Sequence, residues 1–272
     1  MAVDVSDAFI KQFESEVHMT YQRRGTKLRP TVRNKTVTNA KSTTFQKAGL
    51  GSATTKARHA ELAIMNVSHS NVECTLADYF ASDYTDVMDE LKTNIDERQV
   101  LAGSGSWALG RKTDEIITTI LDTATNEVAL ASSGMTKAKV FSAFNTLGEA
   151  DVPDDGLRYG VVGVQQWTEM LDMTEFSSAD YVGGDVPFAR GLVGKSWMNI
   201  NWFPFSGLPV DGSSDRKCFV YHKSAIGFAS GKDVTTEINY IPEKVAHLIT
   251  SMMSQGAVLI DGAALVEILC DE

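Results

Sequence analysis

From Val17 to Ala60 the chain carries no Asp or Glu, yet it holds ten cations: Arg23, Arg24, Lys27, Arg29, Arg33, Lys35, Lys41, Lys47, Lys56 and Arg58. The whole chain has 25 Lys and Arg against 35 Asp and Glu, so the remainder has 15 basic and 35 acidic residues. The block is rich in Thr, Ser, Asn and Gly, and Val32, Val37, Phe45 and Leu50 are too sparse to build a core. A single-sign block on an opposite-sign body meets something negative. Two partners fit: a nucleic acid, or the acidic body of another copy of the chain.

β-Branched residues favour extended structure across residues 20–60, and Gly49-Leu50-Gly51-Ser52 supplies a turn or tip. This predicts a long arm or β-ribbon with two limbs reaching roughly 60 Å at ~3.3 Å per residue. An isolated hairpin is barely stable in water, so such an arm is ordered when it lies on a partner.

The remainder alternates between helical and strand patterns. Ser6 as N-cap and a Phe9, Phe13, Val17 stripe predict a short amphipathic helix over 5–18. Residues 62–77 return to strand character, with Val72, Cys74 and Leu76 alternating with Asn71, Glu73 and Thr75. Helix formers dominate 86–130, with Trp107, Ile116, Ile117, Ile120 and Leu121 as the apolar side. Within it, GSGSWALG at 103–110 reads as a flexible break and lacks the context of a phosphate loop. Residues 136–148 predict a helix, 150–156 a turn cluster, 158–164 a buried strand, and 165–171 one or two helical turns. Residues 177–214 read as surface loops, and 218–228 as a strand. Asp261-Gly262, between 257–260 and 265–269, is a hairpin signal. Residues 244–255 fit a helix or a strand. The mixed order makes the class α+β.

At 272 residues and 43% hydrophobic, the chain is of ordinary globular composition. Cys74, Cys218 and Cys270 lie far apart and form no disulfide framework or thiolate metal set. No apolar run approaches a bilayer span, and the acidic MAVDVSDAFIKQF start is unlike a signal peptide, so cytoplasmic synthesis without a membrane partner is expected. His18, His59, His69, His222 and His247 are scattered, no Ser sits in a nucleophile elbow, and no cofactor is expected. For nucleic-acid binding the arm offers only Tyr21 and Phe45 as stacking platforms, and the acidic body would repel phosphates.

The string QRRGTKLRPTVR at 22–33 resembles the Gln-x-x-Gly-x-Leu-Arg-x-x-Val pattern that opens many major capsid proteins of tailed bacteriophages. Four later strings, WALGRKTDEIITTI (107–120), VPDDGLRYGVVGVQQWTEML (152–171), YHKSAIGFASGKDV (221–234) and QGAVLIDGAALVEI (255–268), resemble the family at compatible spacing. The resemblance implies the Hong Kong 97-type capsid fold. Its layout here would be an N-terminal arm (1–30), an extended β-loop (31–70), a peripheral domain with a long spine helix (71–150), an axial domain (151–240) and strands returning to the peripheral domain (241–272). It also tips 244–255 towards strand.

The implied function is that of a structural, non-enzymatic subunit that self-assembles through hexamers and pentamers into an icosahedral shell around a phage genome. It would be made and assembled in the host cytoplasm and would reside in the virion capsid. Scaffolding, portal and cement proteins are the further partners, with packaged DNA touched non-specifically. The ten cations would lie on a neighbour's acidic spine region, where Asp86, Asp89, Glu90, Asp96, Glu97, Asp114 and Glu115 are the candidate acceptors. The alternative reading is a nucleic-acid-binding protein that uses the basic arm; steep salt dependence of binding to duplex DNA would identify it.

Overall fold

The computed structural model describes residues 23–90, 97–128, 133–177, 194–212 and 214–272, apart from the side chains of 89 and 90. The basic block enters as a 3-10 turn at Arg29–Thr31, then β1 (Arg33–Thr36) and β2 (Ser42–Ala48). Next come β3 (His69–Thr75), β4 (Ala77–Asp86), α1 (Val87–Glu90), the 25-residue α2 (Glu97–Leu121) and β5 (Asn126–Val128). The middle of the chain forms α3 (Lys137–Glu149), β6 (Arg158–Val162), α4 (Val164–Asp172) and α5 (Thr174–Ser177). Then follow β7 (Lys195–Trp197), β8 (Ile200–Pro204), β9 (Arg216–His222), β10 (Ile226–Ile241), β11 (Ala246–Leu259) and β12 (Leu265–Cys270).

The chain divides into two compact units. The larger takes in 26–77, 112–128, 133–177, 194–212, 214–232 and 254–272 of the described residues. Its sheet has the strand order β5-β12-β9-β6-β8-β7. β6 runs parallel to β8 and antiparallel to β9, and β12 runs antiparallel to β9 and parallel to β5. The central strands are apolar on both faces, as RYGVV and LVEILC show, because helices cover the sheet. Trp167 of α4, Phe176 of α5 and Trp202 of β8 are among the largest fully buried side chains, and Phe176 meets Trp167 edge-on at 5.6 Å. α3 starts on Thr136, whose side chain accepts the Lys139 N–H, and buries Val140, Ala143 and Leu147 at helical spacing. Lys139 is buried as well. Its Nζ donates to the carbonyls of Ser133 (2.5 Å) and Leu269 (2.6 Å), so the ammonium is hydrogen-bonded where water is excluded.

The basic block belongs to this unit in a way its composition does not suggest. Leu28 and Val32 are fully buried in the main core, and Val37 and Phe45 form a second small core with Cys74, Ala229 and Ile260. These apolar residues are sparse along the chain but land on surface supplied by distant segments. β2 and β3 pair antiparallel from Ser42↔Thr75 to Ala48↔His69, and β1 lies parallel to the start of β10, Arg33 opposite Gly227.

The smaller unit comprises 23–25, 78–90, 97–111 and 233–253 of the described residues. Its strands neighbour one another in the order β10-β11-β4. Helix α2 runs unbroken through GSGSWALG, so the expected flexible break is absent. Gly105 is where the helix meets the sheet: a Cβ there would lie 2.8 Å from Ser251 Oγ, which is already bonded to Thr236 Oγ1 at 2.7 Å. At Gly103 nothing lies within 4 Å. Gly103→Ala is therefore expected to stabilise the fold by ~0.5 to 1 kcal/mol through helix propensity. Gly105→Ala loses that gain to overpacking and destabilises by about 1 kcal/mol. Urea unfolding of the two variants checks this; equal shifts would sink the argument.

Other expectations change or stand. Residues 218–228 are two strands, β9 and β10, separated by a 3-10 turn at Lys223–Ala225. Asp261-Gly262 is not a hairpin turn. β11 pairs with β10 and β4, whereas β12 pairs with β5 and β9, so the chain changes sheets there through a 3-10 turn capped by the Asp261 side chain. The end of the expected 86–130 helix is strand β5, and strands β7 and β8 occupy part of the expected loop at 177–214. Residues 244–255 are strand, within β11. The helix expected over 5–18 lies outside the described residues.

Candidate inter-subunit contact residues

The start of the described chain is fastened to its own subunit. Asp114 of α2 is fully buried and accepts the backbone N–H groups of Lys27 (3.0 Å) and Leu28 (3.1 Å). Thr31 Oγ1 donates to the Leu28 carbonyl (2.7 Å) or shares a hydrogen bond with Tyr221 Oη (2.6 Å), and burial pushes the Tyr221 phenol up. With these polar groups satisfied, Leu28 and Val32 can sit in the core. Asp114 is thus a correction to the expected acceptor set: it leaves no surface for a neighbour's cation.

The remaining cations divide into two groups. Several lie over aromatic rings of their own chain: Arg24 over Trp107 (4.4 Å), Arg29 over Phe228 (5.6 Å), and Arg33 and Lys35 over Phe45 (both 5.7 Å). Lys35 Nζ also donates to the Thr44 carbonyl (3.0 Å), and Lys47 pairs with Asp261 (2.9 Å). Lys41, Lys56 and Arg58 are exposed, and Arg23 is half-buried. Of the acids, Asp86 is exposed and accepts the Met88 N–H (2.7 Å); Glu97 is half-buried in the first turn of α2. Glu115 is exposed and pairs with Lys112 (2.6 Å). The side chains of Asp89 and Glu90, and all of Asp96, lie outside the described residues. The Lys27 backbone on Asp114 joins a residue of one expected set to a residue of the other.

One cluster has the residue types of a hydrolase. His222 lies between Ser224 Oγ (2.7 Å from Nδ1) and Asp155 Oδ1 (3.0 Å from Nε2). Nδ1 also accepts the Ser224 backbone N–H (3.3 Å), so the imidazole caps its own 3-10 turn, and its hydrogen bond holds the Asp155 carboxyl below its usual value. Among the described residues no group of three His, Cys, Asp or Glu is placed to hold a metal ion, and no helix is long and apolar enough to cross a membrane. What the surface offers is charge and exposed apolar area.

Comparison with known proteins gives the family. Residues 5–272 match the family model described as phage capsid protein. The chain belongs to the phage capsid protein family. No curated protein matches the sequence. Among solved structures, the capsid of the cyanophage P-SCSP1u is similar over 99% of this chain and 95% of its own, with a TM-score of 0.80 at 17% identity. The structure from Mycobacterium phage Che8 is similar over 96% and 97%, with a TM-score of 0.76 at 17% identity. The capsid of a native gene transfer agent particle is similar over 99% and 98%, with a TM-score of 0.78 at 14% identity. The mixed α+β fold described above is thus a fold of phage capsid proteins.

A capsid protein acts through the surfaces it offers to other copies, and one class of residue was missed by reading charge alone. Leu50, Leu62, Ile64 and Met65 are exposed on the segment joining β2 to β3, and Phe80, Tyr84 and Met88 are exposed on β4 and α1. The apolar run Leu62-Ala63-Ile64-Met65 fell within the strand expected over 62–77, but the structure forms strand β3 only from His69 and leaves 61–68 without secondary structure.

Proposed function

We propose that this capsid protein is a major capsid protein with the Hong Kong 97-type layout, building an icosahedral shell from hexamers and pentamers. Residues 1–30 are the arm, 31–70 the extended loop, 71–150 the peripheral domain with α2 as spine helix, 151–240 the axial domain and 241–272 the return strands. The observation that carries the reading is the family match over 5–272 joined to the segregation of charge along the chain. The exposed cations of the arm and loop lie on the acidic surface of a neighbour, Asp86, Asp89, Glu90, Asp96, Glu97 and Glu115 among the acceptors. Each exposed pair contributes about 0 to 1 kcal/mol, and a closed shell repeats it at every subunit. Scaffolding, portal and cement proteins, packaged DNA, and synthesis in the host cytoplasm belong to the same reading.

Sedimentation of the expressed full chain tests it. The expected result is closed particles that appear by negative-stain microscopy and dissociate as salt is raised. A chain that remains in small oligomers at every concentration would count against the reading, and tight, salt-steep binding to duplex DNA by those oligomers would favour the nucleic-acid alternative.

A further inference from the structure

Two of the three cysteines, far apart along the chain, meet in the fold. β9 and β12 run antiparallel with Cys218 opposite Ile268 and Cys270 opposite Arg216. Cys218 and Cys270 are therefore diagonal neighbours on adjoining strands, and their side chains stand on the same face of the sheet. Both are free thiols, fully buried in the main core. Burial above all, and then a hydrogen bond between the two thiols, push Cys218 well above its ordinary value. Closed in this way the pair is inert, because the thiolate is the reactive form. Cys74 is also buried, but it sits in the small core with Val37 and Phe45, apart from the other two.

The contacts that keep the pair closed lie beside it. β12 ends at Cys270, and Asp271 and Glu272 follow as exposed chain without secondary structure. The Arg216 guanidinium grips the Glu272 carboxylate, with Nε 3.1 Å and Nη2 2.6 Å from Oε2, and donates through Nη1 to the Leu208 carbonyl at 2.9 Å. The Asp271 N–H donates to the Ser133 carbonyl at 3.1 Å. Arg216 is also the residue opposite Cys270, so this clamp sits on the rung that carries the thiol. Local opening of that rung exposes Cys270 while the ladder from Leu265↔Tyr221 to Ile268↔Cys218 stays paired.

We propose that Cys218 and Cys270 are the site of a reversible intrachain disulfide, formed by a peroxide and gated by the Arg216–Glu272 clamp. Opening admits hydrogen peroxide to Cys270. The sulfur attacks the O–O bond, one water leaves, and Cys270 becomes a sulfenic acid. The Cys218 sulfur then displaces the hydroxyl as a second water. Two thiols and one peroxide thus become one disulfide and two waters, the sulfurs giving up the two electrons that the peroxide gains. A diagonal pair lies further apart than a directly opposed one, so the bond draws the end of β12 towards β9 and is strained. Strain makes it easy to reduce, which sets a reversible link apart from a structural one. The pair belongs to the core of one chain, so the inference goes beyond the shell reading and does not depend on it.

The test exposes the folded full chain to hydrogen peroxide, removes the oxidant, alkylates the remaining thiols in denaturant and digests with trypsin. Peptides 218–223 and 245–272 should be recovered joined. Reduced glutathione added to the still-folded chain should separate them. Cys74 should remain alkylatable, as the reference for a buried thiol without a second thiol beside it. Glu272→Gln weakens the clamp outside the core and should speed linking about 10-fold. Consumption of Cys74 at the same rate would mean oxidation through global unfolding and overturns the proposal. So does the absence of the joined peptides, a sulfinic acid on Cys270 with Cys218 still free, or a link that glutathione leaves intact. A linking rate that Glu272→Gln does not change overturns the gate.

Discussion

Asp114→Ala is expected to destabilise the subunit by about 3 kcal/mol and to free the segment from Thr26 to Val32. The carboxylate accepts the N–H groups of Lys27 and Leu28, and removing it leaves the buried Leu28 donor and the part-buried Lys27 donor without that partner. A buried unsatisfied donor costs ~1 to 3 kcal/mol, and the methyl group of alanine leaves a void as well. The cheapest response is for Leu28 and Val32 to leave the core, which moves the loss to the hydrophobic term. Asp114→Asn keeps one oxygen acceptor and should lose about half as much. Urea unfolding gives the magnitude. Limited trypsin digestion gives the place: cleavage after Arg23, Arg24, Lys27 and Arg29 should accelerate at least 10-fold in the alanine variant before the rest of the chain is cut. Unchanged cleavage there would show that Asp114 does not hold the segment.

Arg→Gln substitution at Arg23, Arg24, Arg29 and Arg33 together is expected to leave a folded, soluble subunit that assembles poorly. Arg24, Arg29 and Arg33 lie over Trp107, Phe228 and Phe45, so each loses a cation–π contact of ~0.5 to 1 kcal/mol while the glutamine stem still covers the ring. That loss is small against a typical domain stability of roughly 5 to 15 kcal/mol. Assembly should suffer more. Four charge contacts at up to about 1 kcal/mol each raise the concentration needed for assembly by roughly 100-fold or more. Circular dichroism checks the fold and sedimentation checks the particles. Arg→Lys at the same positions keeps the charge and should restore most of the assembly. Normal particles from the glutamine variant would remove the electrostatic clasp from the account.

The two experiments address opposite ends of one segment. The backbone N–H groups of Lys27 and Leu28 and the side chains of Leu28 and Val32 face inward and belong to the fold, while the proposed reading gives the cationic heads to a neighbour. Composition points to the second role. The first is invisible to it, because Asp114 lies 87 residues from Lys27 along the chain. An acid on a helix that also carries Glu115 reads as part of a solvated charged face, and burial separates the two.

Local patterns transferred well to local structure. The spacing of Val140, Phe144 and Leu147 produced α3, the apolar run at 158–162 produced β6, and the alternation at 71–76 produced β3. These hold because a helix repeats every 3.6 residues and a strand every two, so the buried face is written in the nearest neighbours. The failures concern partners. Asp-Gly between two apolar strands favours a hairpin, yet β11 and β12 belong to different sheets, each having longer ladders to make elsewhere. The glycines of GSGSWALG suggested a break by propensity, but at Gly105 the contact with Ser251 makes the missing side chain a packing requirement.

By itself, then, the sequence determined the charge segregation, the α+β class and the position of several helices and strands, which follow from composition and short-range periodicity, and it carried a resemblance to a capsid family in five strings of residues. Only the tertiary structure decided that the basic block is anchored in its own core and that Asp114 is spent on that anchor. Those outcomes depend on which distant segments meet, and burial and hydrogen-bond satisfaction are properties of the meeting rather than of either segment.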